Sequence, residues 1–314
     1  MRRKKDFFDG KKMLITGGHG FLGSHLIDKL SKTGCRIIAP KSSEYDLIKE
    51  EEVNRLFLDN KNIDLVTHLA VDGGGIGYMK EHPGSVYYNN ILMNTLVQEY
   101  ARINNVSKFV GVGSICEYPK FTSVPFKEED LWAGYPEETN APYGLAKKMM
   151  LVQSQGYRDQ YGFNAIHLMP VNLYGPRDDF DLKNSHVVPA LIRKMLEAKE
   201  NEASFVEIWG TGNASREFLY VEDCAEAILL AAERYNGRDP INLGSGIELS
   251  MREIITKIKY ATGFRGEIKF DISKPDGQPR RCLDVSKAEK EFDFQAKTSM
   301  EEGLRKTIDW YIKR

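Results

Sequence analysis

Tyr143 and Lys147 lie four residues apart in the segment APYGLAK, a spacing that puts both side chains on one face of a helix. An ammonium group beside a phenol stabilises the phenolate, so the pair is typical of a tyrosine that exchanges a proton with a hydroxyl or ketone. Ser114 follows the apolar run 109–113, and its hydroxyl could hydrogen-bond the same oxygen. We therefore treat Ser114, Tyr143 and Lys147 as candidate catalytic residues.

Cys116 and His186 are two further candidates for proton transfer. Cys116 comes two residues after Ser114, and a thiol with a pKa near 8.5 can take a proton from carbon close to neutral pH. His186 precedes the segment VVPAL, and an imidazole changes its charge in the same pH range. The alternative for each residue is structural, as a buried inert thiol or as a histidine satisfied inside the core.

A glycine-rich loop follows the first apolar run, 12–16, and leads into a helical pattern. Small residues at such a place let the backbone turn tightly and approach a pyrophosphate, while the N–H groups of the following helix face its charge. This position between a first strand and a first helix predicts a dinucleotide site. The predicted cofactor-binding residues of the loop are Gly17, Gly18, His19, Gly20, Phe21, Leu22 and Gly23.

The segment after the second predicted strand bears on the choice between NAD and NADP. A site that prefers NAD usually places an acidic residue there, which binds the ribose 2′-hydroxyl. This chain has Lys41 and Ser42 instead, a cation and a hydroxyl that suit a 2′-phosphate. Glu44 and Asp46 lie near enough to keep NAD as the alternative. We therefore predict NADP, with NADPH as its reduced form.

Apolar runs and helical patterns alternate through the first half of the chain, which predicts a parallel sheet covered by helices on both faces. The predicted strands are 12–16, 36–39, 64–70, 109–113, 165–169, 206–209 and 241–243. The predicted helices are 21–33, 49–58, 86–104, one running from 141 past 155, 188–200, 221–232 and 251–261.

These patterns predict an α/β fold class: a Rossmann-type doubly wound parallel sheet with a smaller C-terminal substrate-binding domain. We assign residues 1–176 to the NADP-binding Rossmann domain, together with a returning segment near 211–245. Residues 177–314 then form mainly the substrate-binding domain.

The composition is that of an ordinary globular chain close to neutrality. Lys and Arg total 44 and Asp and Glu total 45, so the formal charge is −1 and nothing attracts nucleic acid or an anionic membrane. No apolar run approaches the roughly 18 residues that span a bilayer. The four cysteines form no CxxC pair, and we predict no metal site. We expect a cytoplasmic enzyme whose first ten residues are a solvated lead-in.

The glycine loop and the Ser–Tyr–Lys combination together resemble the extended short-chain dehydrogenase/reductase superfamily. More specific segments resemble the GDP-L-fucose synthase family, which uses NADPH for 3,5-epimerisation and 4-reduction of GDP-4-keto-6-deoxy-D-mannose. These segments are 114–119 (SICEYP), 170–176 (PVNLYGP), 184–191 (NSHVVPAL), 209–218 (WGTGNASREF) and 274–280 (KPDGQPR). The resemblance extends over nearly the whole chain.

The resemblance implies a role for each candidate. Cys116 and His186 would remove and return the protons on C3 and C5, which the C4 ketone acidifies. Tyr143 would protonate the oxygen at C4, Ser114 would hydrogen-bond it, and Lys147 would hold the nicotinamide ribose.

Residues outside the triad would bind the two ligands. The cofactor would also contact Pro170, Asn172, Leu173 and His186, and the nucleotide-sugar would contact Lys194, Trp209, Arg216 and Asp276. Trp209 has a core position as its alternative, and Lys194 a solvated helix position. The same resemblance implies a homodimer.

Two departures from the family pattern leave the native sugar open. His19 stands where the glycine loop of the family often has another basic residue, and Asp72 stands where a cation is common. The alternatives are an epimerase/reductase of a related GDP-4-keto sugar, of the colitose or 6-deoxyheptose type, and a plain 4-keto reductase. A non-catalytic NADP-binding sensor would be expected to have a broken triad, and the triad here is complete.

Overall fold

The computed structural model of the chain describes residues 6–182, 184–274 and 276–314. Its strands are β1 (Lys12–Thr16), β2 (Arg36–Ile38), β3 (Leu65–His68), β4 (Lys108–Val112), β5 (Ala165–Pro170), β6 (Asn172–Tyr174), β7 (Phe205–Trp209), β8 (Ser215–Tyr220), β9 (Ile241–Leu243), β10 (Glu248–Ser250), β11 (Glu267–Asp271) and β12 (Arg280–Arg281). Its α-helices are α1 (Phe21–Leu30), α2 (Glu50–Asp59), α3 (Ile76–Glu81), α4 (Pro83–Ile103), α5 (Ala141–Tyr161), α6 (Val187–Glu200), α7 (Val221–Arg234), α8 (Met251–Thr262), α9 (Ser286–Phe292) and α10 (Met300–Lys313). Short 3-10 helices cover Ile115–Glu117 and Glu128–Trp132.

The central sheet has six parallel strands in the spatial order β2-β1-β3-β4-β5-β9. The order reverses between β1 and β3, and ligands of doubly wound folds bind beyond the carboxyl ends of the strands at such a switch point. The predicted α/β, Rossmann-type fold class is therefore confirmed. The glycine loop after β1 and Ser114 after β4 lie at this same edge of the sheet.

Successive side chains of each central strand point to opposite faces of the sheet and pack into two separate apolar cores. Met13 and Ile15 of β1 pack into the cluster that contains Leu26 of α1 and the apolar side of α7. Leu14, between them, faces the opposite side and packs with Phe57 of α2 and with residues of α4. This period of two explains why nearly every residue of the strands is apolar, since both faces of the sheet are covered.

A smaller unit follows β6. In it β8 is paired by β6, β10 and β12, β7 is paired by β11, and helices α6, α8 and α10 surround a third apolar cluster. Helix α7 and strand β9 return to the first unit, where α7 packs beside α1 and β9 extends the sheet. The division near residue 176 stays a prediction.

Several elements differ from the sequence-based expectations. Strand β3 ends at His68 rather than at Ala70, because the chain there passes directly against the glycine loop: a Cβ on Gly17 would lie 2.7 Å from Ala70 N. Helices α3, α9 and α10 and the short strands β6, β8, β10, β11 and β12 were not predicted. The first five residues of the predicted lead-in, and Pro275 of the KPDGQPR segment, lie outside the described residues. Within the described ranges, no helix combines the length and the apolar character needed to cross a membrane.

Candidate active site

The loop between β1 and α1 is shaped by two close approaches of the backbone. Gly17 has a φ of +68°, and a Cβ there would lie 2.7 Å from the backbone N of Ala70. A Cβ on Gly23 would lie 2.2 Å from the carbonyl oxygen of Gly17, so only glycine lets α1 pack this close to the strand end. Helix α1 begins after Gly20, whose missing side chain cannot cap it, and no acidic residue stands in its first turn. Its N–H groups can therefore face an anion.

Polar side chains surround the end of β2, where the 2′-hydroxyl or 2′-phosphate of the cofactor ribose would bind. His19 reaches this end of β2, its Nε2 lying 2.9 Å from Ala39 O. Lys41 and Ser42 are exposed there. The carboxylate of Glu44 accepts a hydrogen bond from the N–H of Lys41 at 3.0 Å, and Arg55 stacks on the Tyr45 ring at 4.3 Å. The predicted cofactor residues thus lie together, with Glu44 turned onto the backbone.

Ser114 caps the 3-10 turn 115–117, which carries Cys116. The Ser114 hydroxyl accepts a hydrogen bond from Cys116 N–H at 3.2 Å. Helix α5 packs directly on this turn, since a Cβ on Gly144 would lie 2.2 Å from Cys116 O. Tyr143 and Lys147 of α5 are thereby held beside Ser114, and the predicted triad residues are brought together.

Burial dominates the electrostatics of the triad. It lowers the pKa of Lys147 to about 8, although the Glu117 charge acts in the opposite direction. Contrary to the sequence-based expectation, the pKa of Tyr143 is raised rather than lowered. Burial and the negative charges of Cys116 and Glu117 outweigh the hydrogen bond with Ser114. Tyr143 is therefore a phenol, a proton donor, at neutral pH.

A fully buried pair, Glu117 and His167, lies beneath the triad. Glu117 accepts a hydrogen bond from Ser114 N–H at 2.8 Å, and its carboxylate oxygens lie 3.0 and 3.1 Å from His167 Nε2. A Cβ on Gly113 would lie 2.0 Å from Glu117 Oε1, so glycine is required at the end of β4. Sequence reasoning had not identified this pair, because His167 sits in a strand that reads as apolar core.

Through hydrogen bonds, His68 connects strand β1, which precedes the glycine loop, to helix α5, which carries Tyr143 and Lys147. Its Nδ1 lies 2.7 Å from Thr16 Oγ1 and its Nε2 lies 3.0 Å from Asn94 Oδ1, while Asn94 donates to Ala146 O at 3.0 Å. Burial, with the Lys147 charge, lowers the pKa of His68 to about 3, so the ring is neutral. The buried chain of contacts fixes α5 against the sheet one residue before Lys147.

Cys116 has a charged neighbour that sequence reasoning missed. Arg281 of β12 donates from Nη2 to Cys116 Sγ at 3.6 Å, a contact distance for sulfur. Its Nε is buried and has no hydrogen-bond partner among the described residues. The only sequence signal for Arg281 was that it follows the KPDGQPR segment directly.

His186 ends the loop that follows β6 and stands just before α6. Its Nδ1 lies 4.0 Å from Oδ1 of Asp178, a buried carboxylate, and the hydrogen-bonding influence of Asp178 raises the pKa of His186 above its ordinary value. The loop docks on the segment after β3, since Gly75 N–H donates to Asn184 O at 2.7 Å. His186 is thus at the same edge of the sheet as Ser114, and half of its side chain is exposed.

Of the four residues predicted to bind the nucleotide-sugar, Trp209, Arg216 and Asp276 belong to strands and loops of the smaller unit, whereas Lys194 lies on helix α6. Trp209 ends β7 with 67% of its surface exposed, so the alternative of a core position is wrong. Asp276 binds Thr211 through both oxygens at 2.6 Å, and Arg216 donates to Gln278 O at 2.6 Å. Burial and the charge of Arg281 lower the pKa of Arg216 to about 10. Lys194 lies apart from these residues along the chain, half-buried on α6.

The segment 170–173 joins the two units. Pro170 ends β5, and Asn172 and Leu173 form β6, which pairs with β8. The side chain of Asn172 donates to Glu217 O at 3.1 Å and is thereby fixed to β8. Among the described residues, no group of three His, Cys, Asp or Glu side chains could hold a metal ion.

A family comparison matches this arrangement. The model described as "NAD dependent epimerase/dehydratase family" covers residues 13–244, which include the glycine loop, the triad and β9. The chain therefore belongs to the NAD-dependent epimerase/dehydratase family.

Within this class the chain is similar to GDP-L-fucose synthases. It is 41% identical to the GDP-L-fucose synthase of Sinorhizobium fredii, over 97% of this chain and 96% of the relative. It is 38% identical to GDP-L-fucose synthase 1 of Arabidopsis thaliana, over 96% and 93% of the two chains. The predicted family resemblance is confirmed.

Solved structures give the same fold. A GDP-6-OMe-4-keto-L-xylo-heptose reductase from C. jejuni superposes with a TM-score of 0.91 at 29% identity, covering 98% of this chain and 99% of the other. A GDP-L-fucose synthetase from Naegleria fowleri bound to NADP has a TM-score of 0.89 at 27% identity, covering 97% and 95%.

Proposed function

We propose that this enzyme epimerises C3 and C5 of GDP-4-keto-6-deoxy-D-mannose and then reduces C4 with NADPH, forming GDP-L-fucose. The observation that carries the proposal is the position of Cys116. Cys116, the proposed base for the carbon acids, lies on the short turn that Ser114 caps, and this turn packs on α5 next to Tyr143. We name Ser114, Tyr143 and Lys147 the reductive centre, and Cys116 and His186 the epimerase pair.

The residues present fit a dinucleotide cofactor. The close glycine contacts leave backbone where a pyrophosphate would lie, and the start of α1 offers N–H groups to it. His19, Lys41 and Ser42 at the end of β2 support NADP over NAD, as does the NADP-bound Naegleria relative. A bound reduced nicotinamide supplies the hydride that the C4 ketone accepts.

The epimerase pair acts on the substrate before reduction. The C4 ketone acidifies C3 and C5, so a base can take a proton there and leave an enolate. The other member of the pair returns a proton from the opposite face, which inverts the carbon. Cys116 and His186 stand on separate loops at one edge of the sheet, and this arrangement supports action from two sides.

The reductive centre completes the reaction. Tyr143 is protonated at neutral pH and gives its proton to the C4 oxygen, while the Ser114 hydroxyl hydrogen-bonds the same atom. The Lys147 ammonium stabilises the phenolate that remains and is placed to hold the nicotinamide ribose. Pro170 ends β5, and Asn172 and Leu173 begin β6 just after it, where we expect the cofactor to contact them.

The smaller unit binds the nucleotide part of the substrate. Trp209 presents an exposed indole on which a base can stack. Arg216 offers a guanidinium to the diphosphate, and Asp276, which Thr211 holds, orients the loop around it. Lys194 of α6 adds a further cation. The division into a cofactor domain up to about residue 176 and a substrate domain beyond it follows from these assignments.

Two further parts of the proposal concern the state of the protein. Exposed apolar residues on the paired helices α4 and α5, such as Tyr88 (59% exposed) and Val152 (45%), support a homodimer that buries them. We also place the enzyme in the cytoplasm, where its nucleotide-sugar and NADPH would be available. Light scattering during gel filtration tests the dimer.

The test of the activity is a reaction of the purified protein with GDP-4-keto-6-deoxy-D-mannose and NADPH in D₂O. The proposal expects GDP-L-fucose that carries deuterium at C3 and C5, identified by NMR and mass spectrometry. Cys116→Ser is expected to lose the deuterium at these carbons while some ketone reduction remains. NADPH consumption without deuterium incorporation would instead establish a plain 4-keto reductase.

A second candidate is an epimerase/reductase of a different GDP-4-keto sugar, such as a heptose. Asp72 favours it, because this acidic residue stands where a cation is common in the family. Its carboxylate accepts hydrogen bonds from Tyr78 OH at 2.6 Å and from Asn89 at 2.7 Å, on the segment against which the loop of His186 docks. The structural similarity to a heptose reductase of C. jejuni points the same way. The same assay with a GDP-4-keto-heptose decides between the two, by comparison of kcat/KM.

A further inference from the structure

Two charged side chains lie next to the epimerase pair and have no role in the reaction as proposed above. Arg281 contacts the sulfur of Cys116 from β12, and Asp178 faces the imidazole of His186 from the preceding loop. Each has one buried polar atom, Nε of Arg281 and Oδ2 of Asp178, without a hydrogen-bond partner among the described residues. Such atoms are costly to bury, so a role is expected for the groups that carry them.

The position of Arg281 follows from strand pairing. Strand β12 runs parallel to β8, and its register sets Arg281 beside Arg216. The guanidinium of Arg216 turns to the carbonyl oxygen of Gln278, whereas that of Arg281 reaches the thiol 3.6 Å away. The two adjacent guanidinium groups thus have different partners, and that of Arg281 supplies positive charge at Cys116.

Cys116 is faced by Tyr143 of α5, by Arg281 of β12 and by the Ser114 hydroxyl that caps its own turn. Glu117 is adjacent in sequence, but its carboxylate is engaged behind the turn by Ser114 N–H and His167. A cation in direct contact favours the thiolate over the thiol. Of the two members of the epimerase pair, Cys116 is thus the one with a cation in contact.

His186 has the opposite surroundings. Asp178 lies 4.0 Å away, and Asp179 adds a second negative charge that also raises the pKa of His186. Asp178 is itself held in place by the N–H of Asp179, which donates to its Oδ1 at 2.8 Å. A buried carboxylate behind an imidazole fixes the orientation of the ring and favours the imidazolium.

We propose that Arg281 and Asp178 are positioning residues that set opposite protonation states in the epimerase pair, with Cys116 held as a thiolate and His186 as an imidazolium. The inference rests on the proposed function. The thiolate removes the proton from carbon, and the electron pair of that C–H bond moves to the C4 oxygen. His186 then gives its proton to the opposite face of the carbon as the electron pair returns. Solvent restores both groups, so each inverted carbon acquires one solvent hydron.

The first test reads the thiol without any substrate. The rate of alkylation of Cys116 by iodoacetamide is measured against pH, with peptide mapping to separate it from Cys35, Cys224 and Cys282. Arg281→Met is expected to slow alkylation at pH 7 about tenfold, because the positive charge in contact with the sulfur is lost. Arg281→Lys should restore most of the rate, because it keeps the charge.

The matched control is Arg280→Met. Arg280 is the neighbouring residue on β12, is exposed and pairs with Glu248, so its loss should leave the alkylation profile unchanged. Asp178→Asn is expected to lower the pKa of His186 by about one unit in an NMR titration, assigned by comparison with His186→Asn, and to leave the thiol profile as it is. Circular dichroism confirms that each variant is folded.

The second test follows deuterium incorporation at C3 and C5 against pH. In the pH profile of incorporation, Arg281→Met should move the rising limb, which reports Cys116 as the base, to higher pH. Asp178→Asn should move the falling limb, which reports His186 as the acid, to lower pH. Unshifted thiol and imidazole titrations in folded variants would overturn the inference. If the wild-type protein shows no deuterium incorporation while the titrations shift as expected, the proposed substrate is wrong and the electrostatic assignment stands.

Discussion

Tyr143 and Lys147 are carried by a 21-residue helix that packs on the sheet, whereas Cys116 and His186 stand on a short 3-10 turn and at the end of a loop. The reductive centre is fixed from below by buried neutral and acidic contacts, the His68 chain and the Glu117–His167 pair. The epimerase pair is held mainly by charges, Arg281 and Asp178. The residues of the proposed reductive centre are thus supported by buried packing and hydrogen bonds, whereas each member of the proposed epimerase pair has a charged side chain beside it.

The largest expected effect separates the two centres completely. Tyr143→Phe removes the proton donor for the C4 oxygen, so we expect reduction to fall about 10²–10⁴-fold. Deuterium incorporation at C3 and C5 should continue, because the epimerase pair is intact. Stopped-flow measurement of NADPH oxidation, with NMR of the recovered ketone, checks both. Equal losses of reduction and incorporation would mean that one residue set serves both steps.

Gly113→Ala tests the rigid support under the reductive centre. The new Cβ would lie 2.0 Å from Glu117 Oε1 and 2.5 Å from His167 Nε2, so the buried pair must move. We expect the free energy of unfolding to fall by about 1–3 kcal/mol, measured by urea denaturation. The matched control is Gly156→Ala, which meets nothing within 4 Å in helix α5 and should stabilise the protein slightly. A Gly113→Ala protein as stable as the control would contradict the close packing.

The pH dependence of reduction should follow Lys147. Its pKa is about 8, and the ammonium form is the active one, so kcat/KM for reduction should fall about tenfold per pH unit above 8. Tyr143 does not produce this limb, because its pKa is raised. Deuterium incorporation should have its own high-pH limb, set by loss of the His186 imidazolium, and Lys147→Arg should leave that limb unchanged. In Lys147→Arg, which stays charged, the limb of reduction should disappear; its persistence would assign it to another group.

The sequence was most informative where contacts are local. The glycine spacing, the tyrosine and lysine one helical turn apart, and the alternation of strands with helices all follow from short segments, and the structure has them where they were expected. The end of β3 and the helix α3 were harder to predict, because the chain there follows the glycine loop and the loop of His186 rather than its own periodicity.

The supporting residues could not be predicted in this way. Arg281 meets Cys116 across 165 residues, and His167 meets Glu117 across 50. Only the register of β12 on β8 and of β5 on β4 brings these partners together. A lone histidine or arginine in such a segment has no pattern around it, so its chemistry becomes visible only when the sheets are assembled.

The smallest expected effect concerns binding that both centres share. Trp209→Ala removes an exposed ring that Lys274 also approaches at 5.6 Å, so we expect KM for the nucleotide-sugar to rise roughly fivefold, equivalent to about 1 kcal/mol. Because the indole is outside the core, the urea midpoint should not change, and Trp209→Phe should recover most of the affinity. The rise in KM should be equal for deuterium incorporation and for reduction, with kcat preserved. A selective loss of one reaction would show that Trp209 orients the hexose toward one centre, and would break the division of labour between a shared binding surface and two separate proton-transfer sites.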